Sequence, residues 1–371
     1  MKGLYIHIPF CKQKCKYCDF VSFPCMEDTA DKYVDALKRE AEQYRGEKID
    51  TIFIGGGTPS ILTPKQIEEV TKMCFDVFDV ASDCEFTTEA NPGTIDDDKI
   101  KAMLNGGINR ISVGVQSFND DELKKIGRIH DAKTAYNTIC HLDKMGFQNI
   151  NLDIMTALPS QTFESLKNTL NTAVSLPVKH ISAYSLILEE GTRFYHWYQE
   201  GKFDSGEWKL PSEEEEYQMG EWTIERLAKA GMKRYEISNY ARTGRECRHN
   251  LGYWDRVEYL GIGAGASSLL RNRRFSHIRN RKTYIEAIHE KQPIETEEEL
   301  LSEESQMEEF MYLGLRKVNG ISKEKFERTF QKPISEVYGT VIEHFQAEHL
   351  LECKGDRIFL SRRGMDVSNY V

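Results

Sequence analysis

The stretch TIFIGGGTPSILTPKQIEEV, residues 51–70, contains the elements of one strand–turn–helix unit. TIFIGG is a short apolar and β-branched run, which is typical of a buried strand. The glycines that follow allow a sharp turn and a close approach of the backbone to a ligand. Thr63 is a good N-cap residue, and Pro64 suits the first helical position. The stretch therefore predicts a strand that leads through a glycine turn into a helix over about 64–78.

The same unit recurs along the first half of the chain. The other strand-like runs are LYIHIP (4–9), EFTTEA (85–90), RISVGV (110–115), NINLDIM (149–155) and HISAYSL (180–186). The amphipathic stretches between them are 29–45, 96–105, 119–126, 132–145 and 162–175. Such alternation predicts a parallel sheet covered by helices. Six units, instead of the eight of a closed barrel, predict an α/β fold with an open, partial TIM-like (β/α)6 barrel.

The pattern changes after about residue 190, and we expect three parts: the barrel (1–190), an extension that completes its flank (191–295) and a small C-terminal domain (296–371). In the extension, YLGIGAGASS has GxGxxA spacing without a clear helix behind it, so close backbone packing at Gly261 and Gly263 is favoured over a dinucleotide site. In the C-terminal part, the predicted helices are 302–317, 322–330 and 334–348. Followed by the alternating segments RIFLS and RRGMDVSNYV, they predict a winged-helix-like fold.

Charge and hydropathy exclude several classes of function. The 371 residues carry a formal net charge of −10, which disfavours binding to a nucleic-acid backbone. The longest conspicuous uncharged run, YLGIGAGASSLL, is shorter than the roughly 18 residues that a membrane span needs. The start of the chain does not resemble a signal peptide, so we expect a cytoplasmic protein with reduced thiols.

Three cysteines lie close together in FCKQKCKYCDF, residues 10–20. Cys11, Cys15 and Cys18 form a CxxxCxxC pattern that indicates a metal site. A structural zinc site needs four ligands and would have to recruit a further side chain. Three thiolates on a four-iron cluster leave one iron without a protein ligand and open to chemistry, and this alternative is favoured. The side chains that could complete a zinc site are those of His7, Asp19 and Cys25. The cysteines interpreted as packing residues are Cys74, Cys84, Cys140 and Cys353.

Polar residues follow successive strands, at the points where barrel active sites are built. Glu89 ends the third strand, Gln116 ends the fourth, Asp153 lies on the fifth, and Arg128 lies in the loop after the fourth. Each residue alone would more often be structural. Together with the glycines of GGGTP (55–59), they favour a polar ligand that lies across the mouth of the barrel.

CKQKCKYC, GGGTP, Glu89 and Gln116 together resemble the radical S-adenosylmethionine (SAM) superfamily, over essentially the whole chain. The similarity is to the branch that contains the oxygen-independent coproporphyrinogen III dehydrogenases and the HemW heme chaperones. It implies a 4Fe-4S cluster whose fourth iron is chelated by SAM. An electron delivered to that cluster would cleave the sulfonium and release a 5′-deoxyadenosyl radical, which is chemistry that the cofactor supplies.

The resemblance also assigns residues by motif. The expected cluster ligands are Cys11, Cys15 and Cys18. The expected SAM-binding residues are Tyr5, Tyr17 beside the adenine, Gly56, Gly57 and Thr58 at the methionine moiety, and Glu89. The residues that resemble those of a second SAM site or a substrate pocket are Gln116, Arg128 and Asp153.

HNLGYW, residues 249–254, distinguishes the two sides of this branch. From its residues alone, His249 could be a core histidine packed on aromatic rings. The pattern HNxxYW marks the heme chaperones, however, and implies that His249 binds heme, for whose iron an imidazole nitrogen is a natural axial ligand. Phe20 stands where the decarboxylating enzymes have a further cysteine, and the first strand begins after three residues, without their long N-terminal segment.

We therefore expect a heme chaperone that transfers heme to apo-hemoproteins, including respiratory ones at a membrane to which it would bind peripherally. An electron donor such as flavodoxin or ferredoxin and a homodimer are also expected partners, and nucleic acid is not. The alternatives are an oxygen-independent coproporphyrinogen III oxidase, which would decarboxylate two propionates, and a zinc-stabilised interaction scaffold.

Overall fold

The computed structural model describes residues 2–24 and 27–371, and six neighbouring parallel strands form the centre of its main sheet. The strands are β1 (Gly3–Ile8), β2 (Lys48–Gly56), β3 (Asp79–Ala90), β4 (Arg110–Gln116), β5 (Ile150–Thr156) and β6 (His180–Ser185). The helices that connect them are α1 (Glu27–Ala41), α2 (Pro64–Val77), α3 (Asp97–Asn105), α4 (Asp120–Ile126), α5 (Ala132–Met145) and α6 (Phe163–Ser175). This order confirms the predicted (β/α)6 arrangement.

Local sequence explains where several of these helices begin. The Thr63 side chain accepts a hydrogen bond from Gln66 N–H, and the Gln66 side chain accepts one from Thr63 N–H, which closes a capping box on α2. Asp96 is the N-cap residue of α3 and accepts the N–H of Lys99. Asp131 is the N-cap residue of α5 and accepts the N–H of Thr134. The connections between helix and strand are therefore fixed at the N-terminal turn of each helix.

The core lies between the sheet and the helices. On β1, Leu4, Ile6 and Ile8 are fully buried and join one hydrophobic cluster with residues of α1 such as Val34 and Leu37. The alternate positions of β1 face the interior of the barrel, because successive side chains of a strand point to opposite faces. Packing on the outer face thus leaves the inner face free to carry functional side chains.

The sheet continues beyond the six strands on both sides and has twelve strands among the residues that the structure describes. Tyr259–Ile262 pairs parallel with β1 and is a strand that the sequence did not predict. The antiparallel strands that follow it outward are Ser267–Leu270, Arg273–His277 and Glu295–Leu300. Beside β6, the strands are Asn239–Ala241 and Lys233–Arg234, both antiparallel to their neighbours. A Cβ atom on Gly261 would lie 2.2 Å from the Ser267 carbonyl oxygen, which confirms the predicted close backbone packing.

The remaining helices of the middle part are α7 (Arg193–Gln199), α8 (Glu213–Lys229), α9 (Arg248–Trp254) and α10 (Arg281–Glu290). The C-terminal part contains α11 (Glu303–Gly314), α12 (Lys323–Phe330), α13 (Ile334–Ala347) and α14 (Arg362–Asp366). Its antiparallel sheet has the order Ile321–Ser322, Arg357–Leu360, Leu351–Lys354. Helices beside a small antiparallel sheet match the predicted winged-helix-like fold.

Three sequence interpretations need correction or lie outside the structure. RRGMDVSNYV does not continue the alternation of RIFLS, because Ser361 caps α14 by accepting the N–H of Gly364. Cys74 is buried as predicted, but Cys140 and Cys353 are exposed, so the packing interpretation of those two is wrong. Cys25 lies outside the described residues.

Within the described ranges, no helix has both the length and the apolar character to cross a membrane.

Candidate functional site

A cavity of about 320 Å³ lies at the carboxyl ends of the barrel strands, beside the loop that carries Cys11, Cys15 and Cys18. Most of the site residues predicted from the sequence line this one cavity. From the cysteine loop and the turn after β2, they are Cys11, Cys15, Tyr17, Cys18, Gly56, Gly57 and Thr58. From the ends of the next strands and their loops, they are Glu89, Gln116, Arg128 and Asp153.

Backbone hydrogen bonds hold the cysteine loop against the barrel. Lys16 N–H donates to the carbonyl of Ile126 at the end of α4 (3.0 Å), and Phe194 N–H, at the start of α7, donates to the carbonyl of Lys16 (3.0 Å). The Gln13 side chain donates to the Gly127 carbonyl at 3.0 Å. The loop is therefore fixed from both sides, although it has little regular structure of its own.

The three thiols share polar neighbours within this cavity. Cys11 Sγ lies 3.5 Å from Thr58 Oγ1, and Arg128 Nη1 donates to Cys15 Sγ at 3.5 Å. Burial raises the pKa of the Cys11 thiol and raises that of Cys18 to about 11. Both groups are thus protonated at neutral pH in the ligand-free protein, and a metal would have to displace their protons.

The donor set fits an iron–sulfur cluster. Three cysteines from one loop line one cavity, and a guanidinium lies beside one of their thiols. Gln116 lines the same cavity, and its Oε1 atom is buried without a hydrogen-bond partner. Gln116 also has a left-handed backbone, with φ of 70°, and such strain is frequent at ligand sites. Among the described residues, no group of three or more His, Cys, Asp or Glu side chains is arranged around a single metal-ion position.

The GGGTP turn joins the cysteine loop to the barrel. Gly57 N–H donates to the Ile8 carbonyl (2.9 Å), and Thr58 N–H donates to the Phe10 carbonyl (2.7 Å). A Cβ atom on Gly57 would lie 2.6 Å from the Phe10 oxygen, so a larger residue would push the two segments apart. The glycines are therefore needed for a tight turn, and the same turn forms part of the cavity wall.

Two half-buried carboxyl groups, those of Glu89 and Asp153, line the cavity. Burial, reinforced by the charge of Asp153, raises the pKa of Glu89 to about 8, although Gly56 N–H donates to its Oε2 at 3.0 Å. Burial also raises the pKa of Asp153, against hydrogen bonds from Asn151 (2.8 Å) and Ser112 (3.2 Å). A cationic ligand would favour the charged form of both groups, so the pair suits an ammonium or sulfonium group.

Arg128 brings a guanidinium group to the cavity, which the exposed Lys14 also lines. Its Nη2 donates to the Gly114 carbonyl and to Asn91 Oδ1. Burial alone would lower the pKa of Arg128. The neighbouring Tyr17 and Cys15 raise this pKa above its usual value, so the side chain stays a charged guanidinium. Asn91 also donates to Thr58 Oγ1 at 2.8 Å and thereby joins Arg128 to the glycine turn. Asn91 was not predicted as a site residue, although it directly follows β3 and lies at a strand end, as Glu89 does.

Tyr5 and His249 are not among the described residues that line this cavity. The Tyr5 hydroxyl lies 2.9 Å from His7 Nδ1, and its ring stacks on Phe53 with 6.3 Å between centroids. Tyr5 is thus placed in the interior of the barrel. The predicted contact between Tyr5 and SAM stays a prediction.

His249 lies at the opposite, amino-terminal end of the strands. Thr51, which contacts its ring, pairs in register with Gly3, the first residue of β1. His249 is 3% exposed, and a Cβ atom on Gly3 would lie 3.0 Å from its Cε1. Burial, and secondarily the charge of Arg110, lowers its pKa to about 3. The structure therefore separates His249 from the cysteine cavity along the length of the barrel.

Helix α9, which carries His249, is anchored by a buried carboxylate. Glu85 accepts the backbone N–H groups of Arg248 and His249, each at 3.0 Å, and Cys247 Sγ donates to it at 3.5 Å. The sequence analysis missed Glu85 and Cys247, since neither belongs to a recognisable motif. Both fix the helix that closes this end of the barrel.

Comparison with known proteins agrees with the fold. A radical SAM superfamily profile matches residues 5–173, and a profile of the HemN C-terminal domain matches residues 301–367. The solved structure of coproporphyrinogen III oxidase (HemN) from Escherichia coli, a radical SAM enzyme, is similar over 99% of this chain and 88% of its own, with a TM-score of 0.86. Its sequence identity is 22%, so this likeness concerns the fold alone.

Two sequence relatives cover the full length. The heme chaperone HemW of Lactococcus lactis subsp. lactis (strain IL1403) is 40% identical over 99% of this chain and 95% of its own. The heme chaperone HemW of Bacillus subtilis (strain 168) is 38% identical over 100% of this chain and 98% of its own. Because matches of this extent include both the cysteine loop and the C-terminal part, the chain belongs to the HemW family within the radical SAM superfamily.

Proposed function

We propose that this protein is a heme chaperone that binds heme and transfers it to apo-hemoproteins. The observation that carries the proposal is the full-length similarity to HemW proteins, 40% identical over 99% of the chain, together with the cavity that gathers the three cysteines, the glycine turn and Glu89. Phe20 supports the chaperone over the decarboxylase, because it is an exposed phenylalanine at the mouth of the cavity where the decarboxylating branch has a cysteine.

In this proposal, Cys11, Cys15 and Cys18 hold a 4Fe-4S cluster, and the cavity beside them holds SAM. When bound, the pair supplies one-electron chemistry. Glu89 would bind SAM, and the turn from Gly56 to Thr58 would lie along its methionine moiety. Tyr17 would pack beside the adenine, while Gln116, Arg128 and Asp153 would hold a second SAM molecule or a substrate.

His249 is the proposed axial ligand of heme iron. Its lowered pKa, about 3, supports this role, because only an unprotonated nitrogen can bind iron. Both ring nitrogens, however, lie 2.9 Å from protein hydroxyls, Thr51 Oγ1 and Tyr253 OH. We infer that heme reaches His249 only when α9 moves away from the barrel.

The same proposal includes the protein's partners, its location and its oligomeric form. Acceptors would be apo-hemoproteins, including respiratory ones that the protein meets peripherally at a membrane. The electron donor would be a flavodoxin or ferredoxin, the location the cytoplasm, and the working form could be a homodimer.

The test begins with anaerobic reconstitution of the wild type and of a variant with all three loop cysteines changed to serine. We expect a brown wild type with about four iron and four sulfide per chain, from the composition of such clusters, and a colourless variant. Stoichiometric zinc without iron in the wild type would instead support a zinc-stabilised scaffold.

Heme titration then compares the wild type, His249→Gln and a matched control, His196→Gln, whose side chain is largely exposed. We expect retained heme in the wild type and the control, and loss in His249→Gln. Incubation with coproporphyrinogen III, SAM and a reductant should give no protoporphyrinogen. Product formation would overturn the proposal in favour of the oxidase.

A further inference from the structure

A group of cationic and aromatic side chains lies directly beside the cysteine loop. We call it the cationic platform, and its members are Lys16, Arg193, Trp197, Lys202 and Trp208. The two indole rings meet edge to face, 4.9 Å between centroids. The Lys202 ammonium lies 3.5 Å from the Trp197 centroid, Lys16 lies 4.9 Å from that of Trp208, and the Arg193 guanidinium lies 4.8 Å from that of Trp197. Three positive charges thus surround one pair of rings.

No carboxylate forms an ion pair with these three cations in the part of the chain that the structure describes. The ion pairs of the described residues include none with Lys16, Arg193 or Lys202, whereas Lys317 and Lys325, for example, both pair with Asp255. The Glu207 carboxylate contacts the platform through an indole ring and not through a cation: it accepts the Trp208 indole N–H. Lys16 Nζ donates to the Lys125 carbonyl at 2.7 Å, and Arg193 and Lys202 carry their charges without an ion-pair partner among the described residues, in a protein of net charge −10.

The platform is built onto the cysteine loop itself. Lys16 immediately follows Cys15, and its carbonyl accepts the N–H of Phe194 at 3.0 Å. Beneath the rings, Phe194 and Phe203 belong to a hydrophobic cluster against which Tyr17 packs. A molecule that sits on the platform therefore sits against the segment that carries Cys15 and Cys18.

We propose that the cationic platform is the docking surface for an acidic one-electron carrier, a small protein with a flavin or iron–sulfur centre at an acidic face. The carrier would give up one electron and the cluster would take it up, with no bond made and no proton moved. The positive charges of the platform favour an acidic partner. Its contact with the cysteine loop favours a redox partner, because the rate of electron transfer falls steeply with distance. The inference rests on the proposed function, since it assumes the cluster.

The test uses reconstituted protein and a bacterial flavodoxin as the probe. The variant is Arg193→Gln with Lys202→Gln, which leaves the cysteine loop intact. The matched control is Lys65→Gln with Lys282→Gln, which removes the same charge from two highly exposed lysines whose carboxylate contacts are long, 3.9 Å and 3.8 Å. Binding is measured by calorimetry at low and high salt, and cluster reduction is followed by absorbance, with flavodoxin hydroquinone or dithionite as reductant.

We expect the platform variant to bind flavodoxin about 3- to 10-fold more weakly at low salt, with a smaller salt dependence, and the control to bind like the wild type. Reduction by dithionite and retention of heme should be the same in all three proteins. Equal flavodoxin affinity in variant and control would overturn the inference. So would a variant that keeps flavodoxin binding but loses heme or loses binding to phosphatidylglycerol vesicles, because the platform would then serve another ligand. A wild type that forms no cluster would contradict the proposed function, which the iron content reveals separately.

Discussion

The Nδ1 atom of His249 lies 2.9 Å from the hydroxyl oxygen of Thr51, and its Nε2 atom lies 2.9 Å from the hydroxyl of Tyr253. The ring also lies 5.3 Å from that of Phe53 and meets Tyr253 edge to face. His249 is therefore both a satisfied core residue and the proposed heme ligand. The two descriptions that the sequence left open are compatible only if the residue changes its surroundings when heme binds.

Substitution of His249 should separate its two roles. His249→Ala leaves two buried hydroxyls without their partner and a cavity among the rings, so we expect a loss of about 2–4 kcal/mol in the free energy of unfolding. His249→Gln can still pair with one hydroxyl, and we expect it to lose less stability than alanine while losing as much heme. Urea unfolding and heme titration of both variants provide the measurements. Equal heme retention in His249→Gln and wild type would remove the residue from the heme site.

The buried histidines should make the protein less stable in mild acid. Burial lowers the pKa of His130 to about 4 and lowers that of His180 well below its usual value. The unfolded chain binds these protons near pH 6.5, whereas the folded protein does not, so the contribution of these histidines to stability is complete above about pH 6.5 and is lost as the pH drops toward 4. Each histidine contributes at most about 1.4 kcal/mol per pH unit in that window.

Urea unfolding at pH 7, 6 and 5 measures this slope. His130→Asn should show a shallower fall than the wild type, because one proton-binding difference is removed. His196→Gln, a change at an exposed histidine, should keep the wild-type slope. A slope in His130→Asn equal to that of the wild type would mean that carboxyl groups alone cause the loss.

Glu89 should make SAM binding depend on pH. Its pKa of about 8 in the ligand-free cavity means that, below that pH, the Glu89 carboxyl must lose a proton before it can act as an anionic partner of the cationic SAM molecule. We expect the affinity for SAM to rise toward pH 8, by at most about tenfold per pH unit from this group. In Glu89→Gln, the affinity for SAM should be lower, and the increase in affinity between pH 6.5 and 8 that Glu89 causes should be absent.

Equilibrium dialysis with reconstituted protein at pH 6.5, 7.5 and 8.5 gives the profile. Asp19→Asn is the matched control, because Asp19 is an exposed carboxylate that lines the same cavity. A wild-type profile as flat as that of Glu89→Gln would show that Glu89 does not bear the ligand's charge.

Local sequence was sufficient for the barrel and for most of the cavity. The six units follow from strand-like runs and helix caps close in sequence, and parallel strands necessarily bring Glu89, Gln116 and Asp153 to one edge. The seventh parallel strand, Tyr259–Ile262, was missed because its pairing with β1 joins residues that are far apart in the chain. A hexapeptide motif identified His249, but no local pattern could show which end of the barrel its helix would close.

Helix α9 is held at both ends, and releasing it should expose His249. At its start, Glu85 accepts two backbone N–H groups. At its end, Asp255 pairs with Lys317 and, at 3.1 Å, with Lys325 of the C-terminal part. Glu85→Gln weakens the first anchor by about 1–2 kcal/mol, because a neutral amide oxygen replaces a carboxylate as acceptor. We expect hydrogen exchange of the amides in 248–254 to become about tenfold faster, as local opening becomes easier.

Heme uptake should accelerate in parallel in Glu85→Gln and in Asp255→Asn, since both variants lower the free energy needed to free the same helix. Asp83→Asn is the control: Asp83 contacts Arg248 from the exposed side and should change neither rate by much. Stopped-flow heme binding and hydrogen exchange measured on the same samples give the comparison. Faster exchange in α9 without faster heme uptake would mean that heme binds without reaching His249, and the ligand would then have to be sought at the mouth of the cysteine cavity.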